Sequence, residues 1–216
     1  MNYVEINGID LDGQPLVSNA KLYNFDNAVR GSKFPMATDV SKVNGDVVKR
    51  TYALGQAKEG SGHDCFLKGC IVVFDLTFSV KANVELERYH FIDFVSSQST
   101  MHRISKFDLD GQYVKYVDPR IIEIMNELQD TYNENPTEEN YLTLLYSNPC
   151  GFKLTAEMTT NYLQLKTIYY QRRNHRLPEW KAFCKWCETL PMFKEIVLGD
   201  DSDGEKNWLC YNSSKC

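Results

Sequence analysis

The chain has 216 residues, a length that suits one domain able to bury a substantial core without disulfides or metal. Its 29 acidic against 24 basic side chains give a formal charge of −5, which argues against broad phosphate-backbone contact and hence against a nucleic-acid partner. With 43% hydrophobic and 25% charged residues the composition is that of an ordinary globular protein, neither fibrous nor disordered.

Residues 3 to 24 alternate polar and apolar, with "NG" at 7–8 and "DG" at 12–13, dipeptides that accept positive φ in tight turns, so a small sheet is expected to start the chain. "DLDGQ" occurs at 10–14 and again at 108–112. A calcium loop would need a Glu eleven residues after each first Asp, where Lys21 and Pro119 stand, so both copies read as turns. Residues 46 to 60 are helix-compatible, and "CIVVFDLTFSV" (70–80) reads as a buried strand. Val84, Phe91 and Val95 recur at helical offsets, which predicts a helix reaching Val95. A polar helix is expected over 118–132, and another starting at Pro136 and Thr137.

In "TTNYLQLKTIYYQRR" Thr159 or Thr160 is the expected N-cap, and Asn161, Leu165, Ile168 and Arg172 share one helical face. Asn161 and Arg172 then lie roughly 16 Å apart along the axis. Arg172 on an apolar face needs a partner or an anionic ligand. "PEWKAFCKWCETL" (178–190) predicts a helix with Trp180, Phe183, Cys184, Cys187 and Leu190 toward the core, so its Cys-x-x-Cys spacing reads as packing rather than as a metal or redox site. The chain is thus expected to be α/β or α+β, one domain over 1–216 with a loose tail at about 211–216.

No apolar run approaches the roughly 20 residues of a membrane span. "MNYVEINGID" also lacks the basic start and apolar middle of a signal peptide, so a cytoplasmic protein with no membrane partner is expected. Seven cysteines, odd in number and scattered, fit free thiols in a reducing compartment.

"ERYHFIDFVSSQSTMHR" (87–103) mixes Arg, His and hydroxyl side chains with Phe91, Ile92, Phe94 and Val95, a mixture suited to a pocket wall rather than to a core or an open surface. Arg with hydroxyl and backbone donors is what phosphate binding uses. His63, in "GSGHD" before the buried strand, is a further candidate.

Residues 63–102 and 149–180 together resemble the flavin-dependent thymidylate synthase (ThyX, thymidylate-synthase-complementing) family, and more closely its diverged phage and gut-bacterial branch. The flavin-contacting His of the family would correspond to His63, and its Arg-His-Arg motif to Arg88, Tyr89 and His90. Its nucleotide-holding Ser loop would fall on Ser96, Ser97, Gln98 and Ser99, and its Asn and Arg eleven residues apart on Asn161 and Arg172. "NAVR" (27–30) and Pro149 are weaker points of similarity. The departures are Tyr89 and His90 inside the motif, Leu145 in place of an Arg, and Val84 to Glu87 where an Arg and a Gln are expected.

The resemblance implies a ThyX-like mixed sheet with packed helices, in a homotetramer with sites between subunits. It implies FAD bound by His63, Arg88, His90 and Asn161, and a dUMP-like nucleotide bound by Ser96, Ser97, Gln98, Ser99 and Arg172, with no metal. The reaction would methylate dUMP to dTMP, with methylenetetrahydrofolate and NADPH as co-substrates, in the cytoplasm, or in the host cytoplasm for a phage-encoded protein. The alternatives are a non-catalytic nucleotide-binding protein on the same scaffold and a structural oligomeric phage protein.

Overall fold

The computed structural model describes residues 3–199; the expected loose tail and most of the acidic stretch before it lie outside the described residues. The chain opens with β1 (Tyr3–Ile6), β2 (Ile9–Leu11) and β3 (Gln14–Tyr23). β1 and β2 both pair antiparallel with β3. The β2–β3 turn carries positive φ at Asp12 (54°) and Gly13 (76°), the backbone that Asp-Gly accepts in a two-residue hairpin. Asn7-Gly8 has a different use, because it joins two strands that both pair with β3. A Cβ on Gly8 would meet the Val17 carbonyl oxygen at 2.1 Å, so glycine is required there for close approach.

Next come α1 (Phe25–Ser32), α2 (Lys49–Gly55), β4 (Ile71–Ser79) and α3 (Val80–Leu86), which Ser79 caps by accepting from the Ala82 N–H. The helix expected to reach Val95 stops at Leu86, and the chain turns and continues as β5 (Ile92–Ser97). The period-seven spacing of Val84 and Phe91 was misleading. The run Phe91-Ile92-Asp93-Phe94-Val95 is aromatic and β-branched, and a neighbouring strand offers it a ladder. α4 (Thr100–Arg103) and α5 (Leu109–Gln112) are single turns, the latter formed by the second "DLDGQ", which is therefore helical rather than a reverse turn. α6 (Pro119–Glu134) and α7 (Glu138–Ser147) form a hairpin, with Thr137 capping α7 as the sequence indicates. β6 (Lys153–Asn161), α8 (Tyr162–Arg172) and α9 (Pro178–Cys187) complete the order. Thr159 and Thr160 belong to β6, and Asn161 is the true cap of α8: its Oδ1 accepts the Gln164 N–H at 2.9 Å.

The sheet runs β1-β3-β4-β6-β5 with β2 beside β3, and its pairs are antiparallel, so the α+β form of the expectation is the one realised. Val72, Phe74, Leu76 and Phe78 alternate onto one buried face of β4. α9 packs there through ring contacts Phe74–Trp186 (4.8 Å) and Phe78–Trp180 (5.0 Å). Trp180, Phe183, Cys184, Cys187 and Leu190 are all buried, as their stripe predicts. Burial pushes the Cys184 thiol up to about 12 and Cys187 higher than its usual value, which leaves both unreactive at neutral pH. A second cluster, around Met125, Leu144 and Phe152, fastens the α6–α7 hairpin to the sheet's end. No helix of the described residues is long and apolar enough to cross a membrane.

Charged side chains also lie inside this packing. Lys166 of α8 is buried, and its ammonium donates to Gly55 O (2.9 Å), Ala57 O (2.6 Å) and Asp64 Oδ2 (2.7 Å), which uses all three of its donors. Asp64 is equally enclosed, so the pair survives only while both members are present. Lys166→Met is expected to destabilise the protein by about 3 kcal/mol, because it strands a buried carboxylate. Adding Asp64→Asn should restore part of that loss in urea denaturation. An additive loss in the double variant would show that the two do not act as a pair.

Candidate functional site

A cleft of about 640 Å³ opens where the 59–65 loop, the start of α8 and the turn before β5 converge. That volume falls within the roughly 300–1,000 Å³ of small-molecule sites. The loop reaches it through Gly60 and Gly62, whose φ values of +80° and +78° favour glycine. Lys166 holds the loop's two ends, through the carbonyls of Gly55 and Ala57 on one side and Asp64 on the other. His63 is exposed between Gly62 and Asp64, both of which line the cleft. Asn161, Gln164, Phe91 and the exposed Lys68 also line it.

The turn bearing Arg88, Tyr89 and His90 lies lengthwise on α8. Phe91 N–H donates to Gln164 Oε1 (3.3 Å), and the Phe91 carbonyl accepts from Thr160 Oγ1 (2.7 Å). Two turns further along the helix, the buried Tyr89 hydroxyl donates to Gln171 Oε1 (3.1 Å) and accepts from Arg172 Nε (2.7 Å). Tyr89 is thus the inward anchor, and Arg88 and His90 on either side are exposed.

Arg172 finds a protein partner for its charge. Its Nη1 meets Glu85 Oε2 at 3.0 Å, and its guanidinium lies over the Tyr89 and Trp180 rings at 5.5 and 5.0 Å. The same Glu85 oxygen accepts from Trp180 Nε1 (3.1 Å) and faces His175 Nε2 (3.1 Å), while Oε1 takes Lys81 Nζ (2.9 Å). Burial alone would raise the Glu85 carboxyl. The Lys81 hydrogen bond and the charges of His175, Lys81 and Arg172 outweigh it and hold the group below the usual range.

The candidate residues fall into three places. Asn161 lines the cleft, with Arg88 and His90 on the adjoining turn, and His63 lies on the loop between two residues that line it. Ser96 and Ser97 lie at the other end of β5, opposite Glu157 and Ala156, whereas Ile92 at the cleft end pairs with Thr160. That separation is about 14 Å at ~3.4 Å per residue. Gln98 follows the strand, donating its backbone N–H to Thr155 O and accepting the Thr155 N–H at its side-chain Oε1, both at 2.9 Å, and Ser99 precedes α4. Arg172 ends α8, remote from Asn161.

Sequence reasoning missed Glu85, Lys68 and the Lys166–Asp64 pair. Lys81 and Glu85 at i, i+4 gave a weak signal for the first. Nothing local marks Lys166, because its partners are more than 100 residues away. Among the described residues no group of three or more His, Cys, Asp or Glu is placed to hold a metal ion.

No protein-family model matches the sequence, and no curated protein matches it. Solved structures do. The flavin-dependent thymidylate synthase ThyX from Helicobacter pylori, complexed with FAD and dUMP, superposes with a TM-score of 0.67 at 14% identity over 85% of this chain and 98% of that one. A second structure of Helicobacter pylori ThyX with FAD and dUMP gives 0.65 at 15% identity, over 83% and 94% of the two chains. At such identities the likeness establishes the fold: this chain has a ThyX-like α+β fold.

Proposed function

We propose that the protein is a flavin-dependent thymidylate synthase-like enzyme that binds FAD and a dUMP-like pyrimidine nucleotide and forms dTMP with methylenetetrahydrofolate and NADPH. The observation that carries this reading is the cleft itself: on a ThyX-like fold, it is lined by Asn161, Phe91 and Lys68, with His63, Arg88 and His90 on the adjoining segments. These residues fit an anionic dinucleotide. Exposed cations suit the pyrophosphate, and Phe91 offers a ring against which a flat heterocycle can stack. FAD, when bound, supplies the hydride transfer, and the protein's part is to bind and orient.

The separation of Ser96, Ser97, Gln98 and Ser99 from the cleft supports a composite site, in which a second subunit brings its β5 end to the first subunit's cleft. β5 is an edge strand with Phe94 and Val95 exposed, flanked by Phe91 and Met101, as a homotetramer of the implied kind would need.

A specific observation favours the non-catalytic, nucleotide-binding alternative. The Arg172 guanidinium is engaged by Glu85 and Tyr89, and His90 replaces a fork-shaped guanidinium with imidazole.

Purified protein loaded with FAD and desalted is expected to retain the visible flavin band, and His63→Ala to lose most of it. A wild-type protein that cannot be loaded would overturn the enzyme reading, and unchanged occupancy in the variant would remove His63 from the site. Arg172→Ala is expected to lower stability by about 2 kcal/mol, since it leaves Glu85 facing fewer cations in a partly enclosed position. If dUMP-induced thermal stabilisation persists in that variant, Arg172 is a structural clamp; if it vanishes while Arg172→Lys keeps the fold, the residue contacts the nucleotide.

A further inference from the structure

The two "DLDGQ" segments, 98 residues apart in sequence, meet in space. Gln14 of the first donates from Nε2 to the Gly111 carbonyl of the second (3.2 Å), and Gln112 of the second donates to the Lys153 carbonyl (2.5 Å). The Lys153 ammonium in turn donates to Gln14 Oε1. Between the segments lies a cleft of about 250 Å³, lined by Asp12, Asp110, Lys115, Lys153 and Glu179 among others. It is distinct from the cleft at α8. β4 and β6 pair from Ile71–Asn161 at one end to Ser79–Lys153 at the other, which separates the two by about 27 Å at ~3.4 Å per residue.

The charges here are only partly matched. Lys115 is paired with Asp12 at 2.8 Å, and Asp110 accepts from Asn126 at 2.9 Å. Glu179 is 5% exposed; its Oε1 accepts the Ser79 N–H at 2.8 Å, and its Oε2 takes no hydrogen bond from any described residue. No buried side-chain oxygen among the described residues lacks a partner, so Oε2 keeps its access through the cleft. Lys153, paired across the sheet with Ser79, has a neutral amide as its partner, and forms no ion pair with Glu179. Burial holds its ammonium below the usual value, against the opposing pull of Asp12 and Glu179.

An enclosed carboxylate and a partly buried ammonium thus share one small space without a direct ion pair between them, and a single simple ion would satisfy one and leave the other. We propose that this cleft binds a small zwitterion of the amino-acid class, its carboxylate against Lys153 and its ammonium against Glu179. The volume matches that of about eight waters at ~30 Å³ each, which admits an amino acid.

The test uses glycine, L-alanine, L-glutamate and L-lysine as probes at up to about 10 mM. Acetate and methylammonium serve as single-charge controls, and the readouts are thermal stability and the amide resonances of Ser79, Lys153 and Gln164. At least one amino acid is expected to raise the melting temperature and move Ser79 and Lys153 but not Gln164, with the controls moving neither. Lys153→Met, and Glu179→Gln, which keeps an acceptor for Ser79, should each weaken the effect at least about tenfold. The proposal is overturned if no amino acid moves these resonances, if acetate or methylammonium does so equally, if Gln164 responds instead, or if both variants bind as the wild type does.

Discussion

The buried ammonium of Lys166 is the constraint on which the α8 cleft depends. A lysine inside a protein is tolerated only when its charge is matched and its three donors are used. Here those requirements draw in the end of α2, the segment after it and Asp64, three points that no apolar contact would fix in mutual register. The loop between them is thereby closed over a short span, with Gly60 and Gly62 absorbing the unusual dihedrals. His63 lies on this loop, next to Asp64 and its ion pair. Its own imidazole has no part in that.

Glu85 performs a similar service at the other end of α8. It gathers one side chain from α3 itself (Lys81), one from the end of α8 (Arg172), one from the connection beyond (His175) and one from α9 (Trp180). The turn carrying Arg88 and His90 hangs from this cluster through Tyr89 and from α8 through Phe91. α8 is therefore clamped near both ends, and the segments bearing the exposed cations are held against its length.

The fold was legible where periodicity and burial agree. The alternation of Val72, Phe74, Leu76 and Phe78 and the stripe Trp180, Phe183, Cys184, Cys187 and Leu190 each describe a face that must be covered, and each is covered. Legibility failed at β5, where a helical spacing of apolar residues coincided with aromatic and β-branched side chains and pairing to β6 settled the outcome. It failed also at the cap of α8, because Thr159, Thr160 and Asn161 are all competent caps and only the strand's length excludes the first two. For the site, the sequence pointed to Asn161, which lines the cleft, and to His63, which sits on the loop beside it. It could not show that Arg172 has Glu85 as its partner, since the two are 87 positions apart.

Tyr89 decides how the rest of the motif region can work. A side chain that reaches from the turn to Gln171 and Arg172 fixes the middle of the motif inward, so its neighbours on either side must face outward. The same contact takes up the Arg172 guanidinium, together with Glu85 and the Trp180 ring. The cationic side chains exposed at and beside the cleft are then Lys68 and Arg88. The anchoring of the turn and the withdrawal of Arg172 from the open surface are thus two results of one contact. A ligand bound beside α8 would be held by the outward side of that turn.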